Sequence, residues 1–442
     1  MSLLGLDVGS SSVKAGIVRA GGILVKIARD SYPTHCDGPR VEVEPDQVLQ
    51  AIARAIHQLG PAARKVEAIG LSVMSPAWIA MDRAGKPLTP LVTHQDRRSV
   101  EIARELERRV GGRRYLSIAG NLPFPGGISV TTAAWFVQHA PAVMRRADLI
   151  GHLNTFLHRQ MTGGRVIDPS NASFTGLYET VRLGGWSAML CKAARIAISK
   201  LPEIYPSNQI AGNITREAAR RFGLTVGTPV MAGMVDTSAA MLLSGAAIGQ
   251  LFNMSGSTDV LGLCTARPRP HPKLLTRALG VGRRWMSVAT LAAGGSAIAW
   301  VKDQFFRDIS QREYYALVGK LARQSKRRPS SDGIVFEPYL AGERTSIEQK
   351  RASFSGLTLA TTRDDLLLAV IDALARASGA RLQLLKTCGV RMLPRIMTSG
   401  GAARNLHDVL HRDWHGHWTF KFEDEASLRG LGAVAVIQAH AE

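Results

Sequence analysis

The chain has 442 residues, of which 45% are hydrophobic and 20% are charged. This balance excludes disorder over most of the chain, and the length suffices for two or three domains. No apolar run reaches the roughly 18 residues that a membrane-spanning helix needs, so we expect no membrane partner. Lys and Arg outnumber Asp and Glu by 55 to 35, a formal net charge of +20. This charge permits a nucleic-acid partner, but the basic clusters are short and dispersed, and we expect no nucleic acid.

The cysteines predict a reducing environment. Cys36, Cys191, Cys264 and Cys388 lie far apart and form no CxxC pair. This usage is typical of buried or incidental thiols. Asp7 interrupts the first apolar stretch, so the beginning of the chain is not read as a signal peptide. We therefore expect a cytoplasmic protein.

Two similar hairpin patterns stand about 245 residues apart. The first runs from Leu3 to Val18 around a Gly/Ser loop that follows Asp7, and the second runs from Leu251 to Cys264. In each, two apolar strands flank the loop. The repeat is weak, because short Ser/Gly loops are common, but it suggests two halves of related design.

Between and after these hairpins, strand and helix patterns alternate. We predict strands at 68–72, 78–81, 229–233 and 394–398, helices at 100–110, 237–243, 294–303, 363–386 and 428–439, and a mainly helical segment at 142–161. Such alternation is typical of an α/β protein. The predicted domains are residues 1–245 and 246–442.

The loop of the first hairpin combines a carboxylate, a glycine, three hydroxyls and a cation, namely Asp7, Gly9, Ser10, Ser11, Ser12 and Lys14. Backbone N–H groups and hydroxyls of a tight hairpin can bind phosphate oxygens, and a lysine can neutralise them. The carboxylate could hold a hydrated Mg²⁺. A plain hairpin turn with an incidental lysine is the alternative, and no Walker A sequence is present.

Two further carboxylates follow predicted strands. Asp236 comes after the strand 229–233 and before a helix, at the sheet edge where α/β proteins bind ligands. The alternative for Asp236 is a helix N-cap. Asp96 could accept hydrogen bonds from two adjacent hydroxyls of a polyol, and its alternative is a surface ion pair with Arg97 or Arg98.

A glycine pair, Gly400 and Gly401, follows the strand 394–398 and opens a helix. Paired glycines let a flat adenine approach the backbone, and Asn405 can hydrogen-bond to its edge. The alternative is a plain strand-to-helix turn.

The motifs are more specific together than singly. In order they are Asp7-x-Gly9-Ser10-x-Ser12-x-Lys14, Asp96-x-Arg98, Gly233-x-x-Asp236, Ser255-Gly256-Ser257-Thr258, Gly294-Gly295, Gly342-Glu343-Arg344-Thr345 and Gly400-Gly401-x-x-Arg404-Asn405. This series resembles the FGGY family of carbohydrate kinases over nearly the whole chain, as does the stretch 168–173. The resemblance implies two domains of the actin-like ATPase (ribonuclease H-like) fold with a cleft between them.

The resemblance also implies a reaction and a set of roles. An ATP-dependent kinase would transfer a phosphoryl group to a primary hydroxyl of a sugar, with Asp236 as the catalytic base. Asp7 and Asp236 would place Mg²⁺. The residues that would bind ATP are Gly9, Ser10, Ser11, Ser12, Lys14, Gly256, Ser257, Thr258, Gly294, Gly295, Gly400, Gly401 and Asn405. The residues that would bind the sugar are Met74, Asp96, Arg98 and Asp236.

The predicted sugar pocket departs from the family pattern. Xylulokinases usually carry a Gln-Met-His-Gly segment, whereas this chain has Met74-Ser75-Pro76-Ala77 and lacks that histidine. His94 replaces a usual aromatic residue, and Asp259 stands where small hydroxyl residues are common, which leaves a metal-adjacent role conceivable. ATP use is therefore the safer prediction.

We expect a ketose substrate, in particular a pentulose such as xylulose. The alternatives are another polyol substrate (a heptulose, glycerol or gluconate) and a non-catalytic nucleotide-binding protein of the same fold. The chain is shorter than many relatives, and the missing surface segments often shape oligomer contacts, so a homodimer stays open.

Overall fold

The computed structural model describes residues 2–327 and 333–439. The strands within these ranges are β1 (Ser2–Val8), β2 (Ser12–Arg19), β3 (Ile23–Ser31), β4 (His35–Asp37), β5 (Arg40–Val43), β6 (Ala68–Val73), β7 (Ala77–Met81), β8 (Leu91–Thr93), β9 (Leu149–His152), β10 (Val166–Ile167), β11 (Glu203–Ile204), β12 (Ile210–Asn213), β13 (Pro229–Met231), β14 (Met234–Val235), β15 (Leu251–Ser255), β16 (Asp259–Thr265), β17 (Leu275–Ala278), β18 (Trp285–Leu291), β19 (Val335–Glu337), β20 (Ser353–Ser355), β21 (Arg395–Ser399) and β22 (Thr419–Phe422).

The helices are α1 (Pro45–Leu59), α2 (Val100–Val110), α3 (Gly112–Ala119), α4 (Val130–His139), α5 (Pro141–Arg146), α6 (Leu153–Met161), α7 (Pro169–Ala172), α8 (Ala188–Ala193), α9 (Arg216–Phe222), α10 (Asp236–Leu243), α11 (Gly295–Phe305), α12 (Gln311–Arg327), α13 (Arg363–Lys386), α14 (His407–Leu410) and α15 (Ala426–Ala439). No helix in the described parts of the chain is both long and apolar enough to cross a membrane.

The two predicted hairpins are present, and each has a parallel neighbour. β1 pairs antiparallel with β2 and parallel with β6, in a sheet of order β12-β13-β6-β1-β2-β3 with β14 also paired to β6. β15 pairs antiparallel with β16 and parallel with β21, in a sheet of order β17-β18-β16-β15-β21-β22. A further sheet has the order β4-β5-β8-β7-β9. The same local arrangement thus occurs twice.

Contacts divide the chain into two compact units. The first contains residues 2–247, 264–287 and 425–439, and the second contains residues 248–263, 288–327 and 333–424. The core of the first unit includes Val48, Ile52 and other buried residues of α1, with the apolar faces of β1, β2 and β6. The core of the second unit includes buried residues of α11, α12, α13 and α14.

The segment 142–161, predicted to be mainly helical, contains a strand that the prediction missed. The structure has α5, then the buried strand β9, then α6, and β9 pairs antiparallel with β7. A short apolar run such as Leu149–His152 suits a strand buried on both faces as well as a helix. Pairing with β7 decides for the strand, since it satisfies the backbone groups of this segment within a sheet.

The four cysteines are free. Cys191, Cys264 and Cys388 are buried, and Cys36 is exposed.

Candidate active site

Asp7 and Lys14 face each other across the first hairpin. They are cross-strand partners, and Lys14 Nζ lies 3.9 Å from Asp7 Oδ2 and 2.7 Å from Glu425 Oε2. Glu425 also pairs with Arg29 at 2.7 Å. Burial opposes the charge on Lys14, but the carboxylates of Asp7 and Glu425 outweigh it and raise the pKa of Lys14. The predicted phosphate-binding cation is therefore charged and held at the side of Asp7.

Asp7 has an unusual proton affinity. Burial raises its pKa to about 6, against the opposing effects of Lys14 and of the Ser72 hydroxyl, which donates to Asp7 Oδ1 at 2.7 Å. The Asp236 carboxylate adds to the increase. A nearby cation stabilises the ionised form of such a buried carboxylate. The two carboxylates therefore fit a hydrated Mg²⁺, which keeps most of its waters and takes few protein ligands.

The loop at residues 9–12 is fixed through its carbonyl groups. The Gly9 N–H donates to the Ser12 carbonyl at 2.9 Å, and the Tyr32 hydroxyl donates to the Gly9 carbonyl. The Ser10 carbonyl accepts from Thr34 Oγ1, and the Ser11 carbonyl accepts from the Tyr32 N–H, each at 3.0 Å. The three serine hydroxyls make no hydrogen bond to any residue that the structure describes. A fixed loop with unengaged hydroxyls suits phosphate oxygens.

Asp236 lies at the same sheet edge as Asp7. The parallel strands β1, β6 and β14 are in register at their carboxyl ends, at Val8, Val73 and Val235. Asp236 follows at once as the first residue of α10, and the N-cap of that helix is Val235. The N-cap alternative for Asp236 is therefore not what the structure shows. Carboxyl ends of parallel strands are where α/β proteins bind ligands.

Gly233 sets the position of Asp236 along this edge. Val230 pairs with Ile69 and Met234 pairs with Ser72, so one extra residue is inserted between β13 and β14. Gly233 has φ +82°, and a Cβ there would lie 2.7 Å from the Leu71 carbonyl oxygen. Only glycine fits this bulge without strain.

Arg277, on β17, is a candidate residue that the sequence analysis missed. Its side chain is buried, its Nη2 donates to Thr237 Oγ1, and its guanidinium lies 5.4 Å from the Phe174 ring centroid. Burial lowers the pKa of Arg277 to about 10, although Asp236 and Asp168 oppose the shift. No motif spacing distinguishes this arginine from the many others in the sequence, so only the fold reveals its position.

The stretch 168–173 supports the start of α10. Asp168 caps α7 by accepting from the Ser170 and Asn171 N–H groups at 2.9 and 3.1 Å. Ser170 Oγ donates to Asp168 and accepts from the Val235 N–H at 3.0 Å. Because Val235 immediately precedes Asp236, this chain of hydrogen bonds fixes the backbone that carries the candidate base.

The predicted sugar-binding residues Asp96 and Arg98 bind each other. Arg98 donates to the Asp96 carboxylate through Nε at 3.0 Å and Nη2 at 2.7 Å, and the Val41 N–H donates to it at 2.9 Å. Both side chains are buried, at 0% and 5% exposure, so this ion pair is interior rather than on the surface. Met74 is buried, and its N–H donates to the Val8 carbonyl at 2.8 Å.

In the second unit, the predicted phosphate loop 255–258 meets the start of α11. The Gly294 N–H donates to the Ser257 carbonyl at 2.9 Å, and the Gly295 N–H donates to the Gly256 carbonyl at 3.0 Å. A Cβ on Gly295 would lie 2.5 Å from the Gly256 oxygen. These two amides hold the loop, so Gly294 and Gly295 act on its shape through their backbone.

The glycine pair Gly400 and Gly401 adjoins the same loop. Gly400 has φ +108°, and a Cβ there would lie 2.2 Å from the Ser255 carbonyl oxygen, which accepts from the Ala402 N–H at 3.0 Å. Gly401 has open space where its Cβ would be. Beside the pair is a cavity of about 180 Å³, whose lining includes Gly400, Gly401, Arg404, Asn405 and Phe422. Three motifs separated in sequence thus form one region.

Two family models match the chain. The N-terminal domain of the FGGY family of carbohydrate kinases matches residues 2–243, and its C-terminal domain matches residues 251–408. The chain belongs to the FGGY family of carbohydrate kinases. The predicted ATP-dependent kinase with an alcohol group as acceptor is confirmed by this membership.

Relatives in the family carry different substrate names. A gluconokinase from Bacillus subtilis (strain 168) is 25% identical over 91% of this chain and 80% of its own length. A xylulose kinase from Escherichia coli (strain K12) is 25% identical over 90% of this chain and 82% of its own length. A glycerol kinase from Bacillus licheniformis is 27% identical over 91% and 83%. Similar identities to all three leave the sugar open.

Solved structures agree on the fold. A xylulose kinase from Rhodospirillum rubrum superposes with a TM-score of 0.85 at 24% identity, covering 100% of this chain and 90% of the other. A gluconate kinase from Lactobacillus acidophilus superposes with a TM-score of 0.85 at 19% identity, with the same coverage of the two chains. The predicted α/β fold, with two actin-like ATPase domains, is confirmed.

Proposed function

We propose that this FGGY kinase transfers the γ-phosphoryl group of MgATP to a primary hydroxyl of a ketose, in particular a pentulose such as xylulose. The position of Asp236 carries the proposal: it begins α10 at the carboxyl ends of β1, β6 and β14, on the same edge as Asp7. Residues 1–245 and 246–442 are proposed as the two functional domains, although contacts assign residues 264–287 and 425–439 to the first compact unit.

In this proposal Asp236 is the catalytic base. Its carboxylate accepts a hydrogen bond from the attacking hydroxyl and takes the proton as the P–O bond forms. Phosphoryl transfer has a loose transition state, so positioning and charge neutralisation provide most of the catalysis. The hydrogen bonds made by Arg277 and by Asp168 and Ser170 support the role of Asp236 as base, because they fix the backbone and side chains next to it.

Asp7 and Asp236 are the proposed ligands of Mg²⁺, which when bound neutralises charge on the phosphate oxygens. No group of three or more His, Cys, Asp or Glu side chains in residues 2–327 and 333–439 could hold a metal. Two carboxylates are nevertheless enough for a hydrated Mg²⁺ that also binds the phosphates of its nucleotide. The serines at 10–12, Lys14 and the loop 256–258 are the proposed phosphate-binding groups, with Gly400, Gly401 and Asn405 at the adenosine.

The acceptor sugar is the least constrained part of the proposal. A heptulose, glycerol and gluconate are the alternative substrates. The relatives named gluconokinase and glycerol kinase support gluconate and glycerol as alternatives. In the structure, Asp96 and Arg98 are already bonded to each other, so sugar hydroxyls must bind in addition to this ion pair or in competition with it. A cytoplasmic location, a homodimer and the absence of a nucleic-acid partner stay predictions.

The experiment is a substrate panel combined with one variant. Purified protein with MgATP is screened against pentuloses, heptuloses, aldoses, glycerol and gluconate by ADP release. Asp236→Asn should lower turnover of the best substrate by at least about 10²-fold, because a positioned base is lost, while ATP still binds. Asp303→Asn, on the exposed face of α11, is the matched control and should leave turnover unchanged.

Turnover of Asp236→Asn within about tenfold of the unaltered protein would contradict the base assignment. ATP binding without turnover of any panel member would favour the non-catalytic alternative.

A further inference from the structure

Asp259 is a buried carboxylate at the base of the loop 256–258. It begins β16 and is the cross-strand partner of Ser255, the residue that ends β15 on the other side of the loop. Its side chain is 1% exposed. A Cβ on Gly294 would lie 3.0 Å from the Asp259 Cβ, so the start of α11 also packs against this residue. Asp259 therefore contacts both the opposite end of the loop and the start of α11.

A second charged residue reaches this position from α13. Arg381 Nη2 lies 2.5 Å from Asp259 Oδ2, and Arg381 Nη1 donates to the Asp259 backbone carbonyl at 3.0 Å. The other carboxylate oxygen, Oδ1, accepts from Ser255 Oγ and from Asn253 Nδ2 (2.9 Å). Both oxygens are thus engaged by donors from the hairpin and from α13. A carboxylate already paired with a guanidinium is a poor Mg²⁺ ligand, which argues against a metal-adjacent role for Asp259.

Stability alone does not explain this pair. Removing two charges from water is costly, and well-packed apolar residues are often at least as stabilising as a buried ion pair. What an ion pair with several hydrogen bonds adds is geometry, because each bond fixes a distance and a direction. Here the fixed groups include the Asp259 backbone and the Ser255 side chain, the two ends of the phosphate loop.

We propose that Asp259 and Arg381 are positioning residues, which hold the loop 256–258 in the conformation that binds the nucleotide phosphates. The inference rests on the proposed nucleotide site in this unit. It assigns the pair no contact with the nucleotide and no part in the chemistry. Its effect should therefore appear in the binding of phosphate groups and not in the binding of adenosine.

The test compares three ligands on four variants. The affinities of adenosine, ADP and ATP are measured by calorimetry for Asp259→Asn, Arg381→Met and the double variant Asp259→Asn/Arg381→Met. Asp372→Asn is the matched control, because Asp372 forms another buried ion pair in the same unit, with Arg412. Thermal unfolding is recorded for every variant.

We expect each single variant at the pair to weaken ATP and ADP binding by about tenfold or more, because small displacements of binding groups have large effects, and to leave adenosine affinity within about twofold. Asp372→Asn should lower the unfolding temperature without changing the ratio of ATP to adenosine affinity. The double variant should regain thermal stability, since no unpaired buried charge remains, but not ATP affinity. If a single variant does not fold, the double variant provides the same comparison.

Equal loss of adenosine and ATP affinity, or no loss of either, would overturn the inference. An unaltered protein that binds neither ligand would overturn the proposed function itself, so the two failures are distinguishable.

Discussion

Gly233 and Arg277 illustrate, at the scale of single residues, two ways in which the chain positions Asp236, the proposed base. Gly233 is needed because it has no side chain, since a Cβ there would clash with the Leu71 backbone. The bulge at Gly233 sets the position of Asp236 along the sheet edge. Arg277 acts through a buried charge whose Nη2 holds Thr237 beside Asp236. The sequence predicted Asp236 because a carboxylate after a buried strand is recognisable. It could not predict Arg277, whose partner Thr237 lies 40 residues away along the chain.

At this scale we predict that Gly233→Ala is far more damaging than Gly227→Ala. Both glycines have φ near +80°, but only Gly233 has backbone atoms within reach of a Cβ, and Gly227 has open space. Gly227→Ala should lower the free energy of unfolding by about 1–2 kcal/mol from backbone strain alone. Gly233→Ala should lower it by about 3 kcal/mol or more and should also abolish kinase turnover.

Urea unfolding and the ADP-release assay check both variants. Equal destabilisation, or full activity in Gly233→Ala, would contradict the role given to the bulge.

At the scale of secondary-structure elements, the hairpins were predictable and the strand β9 within 142–161 was not. Alternating apolar residues around a Gly/Ser loop have few other interpretations, and β1–β2 and β15–β16 formed where the pattern placed them. The segment Leu149–His152 depends on β7, a partner about 70 residues earlier, which no local pattern encodes. The bounds of the long helix α13 matched the prediction, and its capping box is a local signal for where it begins.

The contact between α11 and the loop 255–258 leads to a prediction about nucleotide use. Gly295→Ala places a methyl group 2.5 Å from the Gly256 carbonyl, so the helix and the loop must separate. We expect the KM for ATP to rise by about tenfold or more, with the KM for the sugar little changed. Gly319→Ala, in α12, is the control, because its nearest neighbour is the flexible Arg323 side chain at 3.3 Å.

Steady-state kinetics with each substrate varied in turn separates these effects. A rise confined to the sugar KM would contradict the role of this contact.

At the scale of the whole molecule, two buried histidines and one partly buried histidine predict loss of stability in acid. Burial lowers the pKa of His152 to about 3, and the pKa values of His158 and His411 to about 4. Between pH 6.5 and about 4 the unfolded chain binds protons that the folded chain does not. The free energy of unfolding therefore falls as pH falls, by up to about 1.4 kcal/mol per pH unit for each histidine.

Urea unfolding from pH 7.5 to 4.5 measures this slope. Asp7 acts in the opposite direction, because its pKa is raised to about 6 in the folded state. The comparison with His158→Gln isolates the histidine effect, since that variant should show a shallower slope. An unchanged slope would contradict the prediction.

The composition of the first unit has a consequence for synthesis of the protein. Its strands β1 and β2 carry Gly5 and Gly16, whose Cβ positions are filled by Leu428 of α15, and Gly430 of the same helix lies against the Ala239 carbonyl of α10. The ribosome makes α15 about 180 residues after Ala247, a delay of roughly 10–40 s at an elongation rate of about 5–20 residues per second. During that interval the helix that begins with Asp236 lacks its covering layer. Chaperone dependence of the nascent chain should therefore end only when residues 425–439 have left the ribosome.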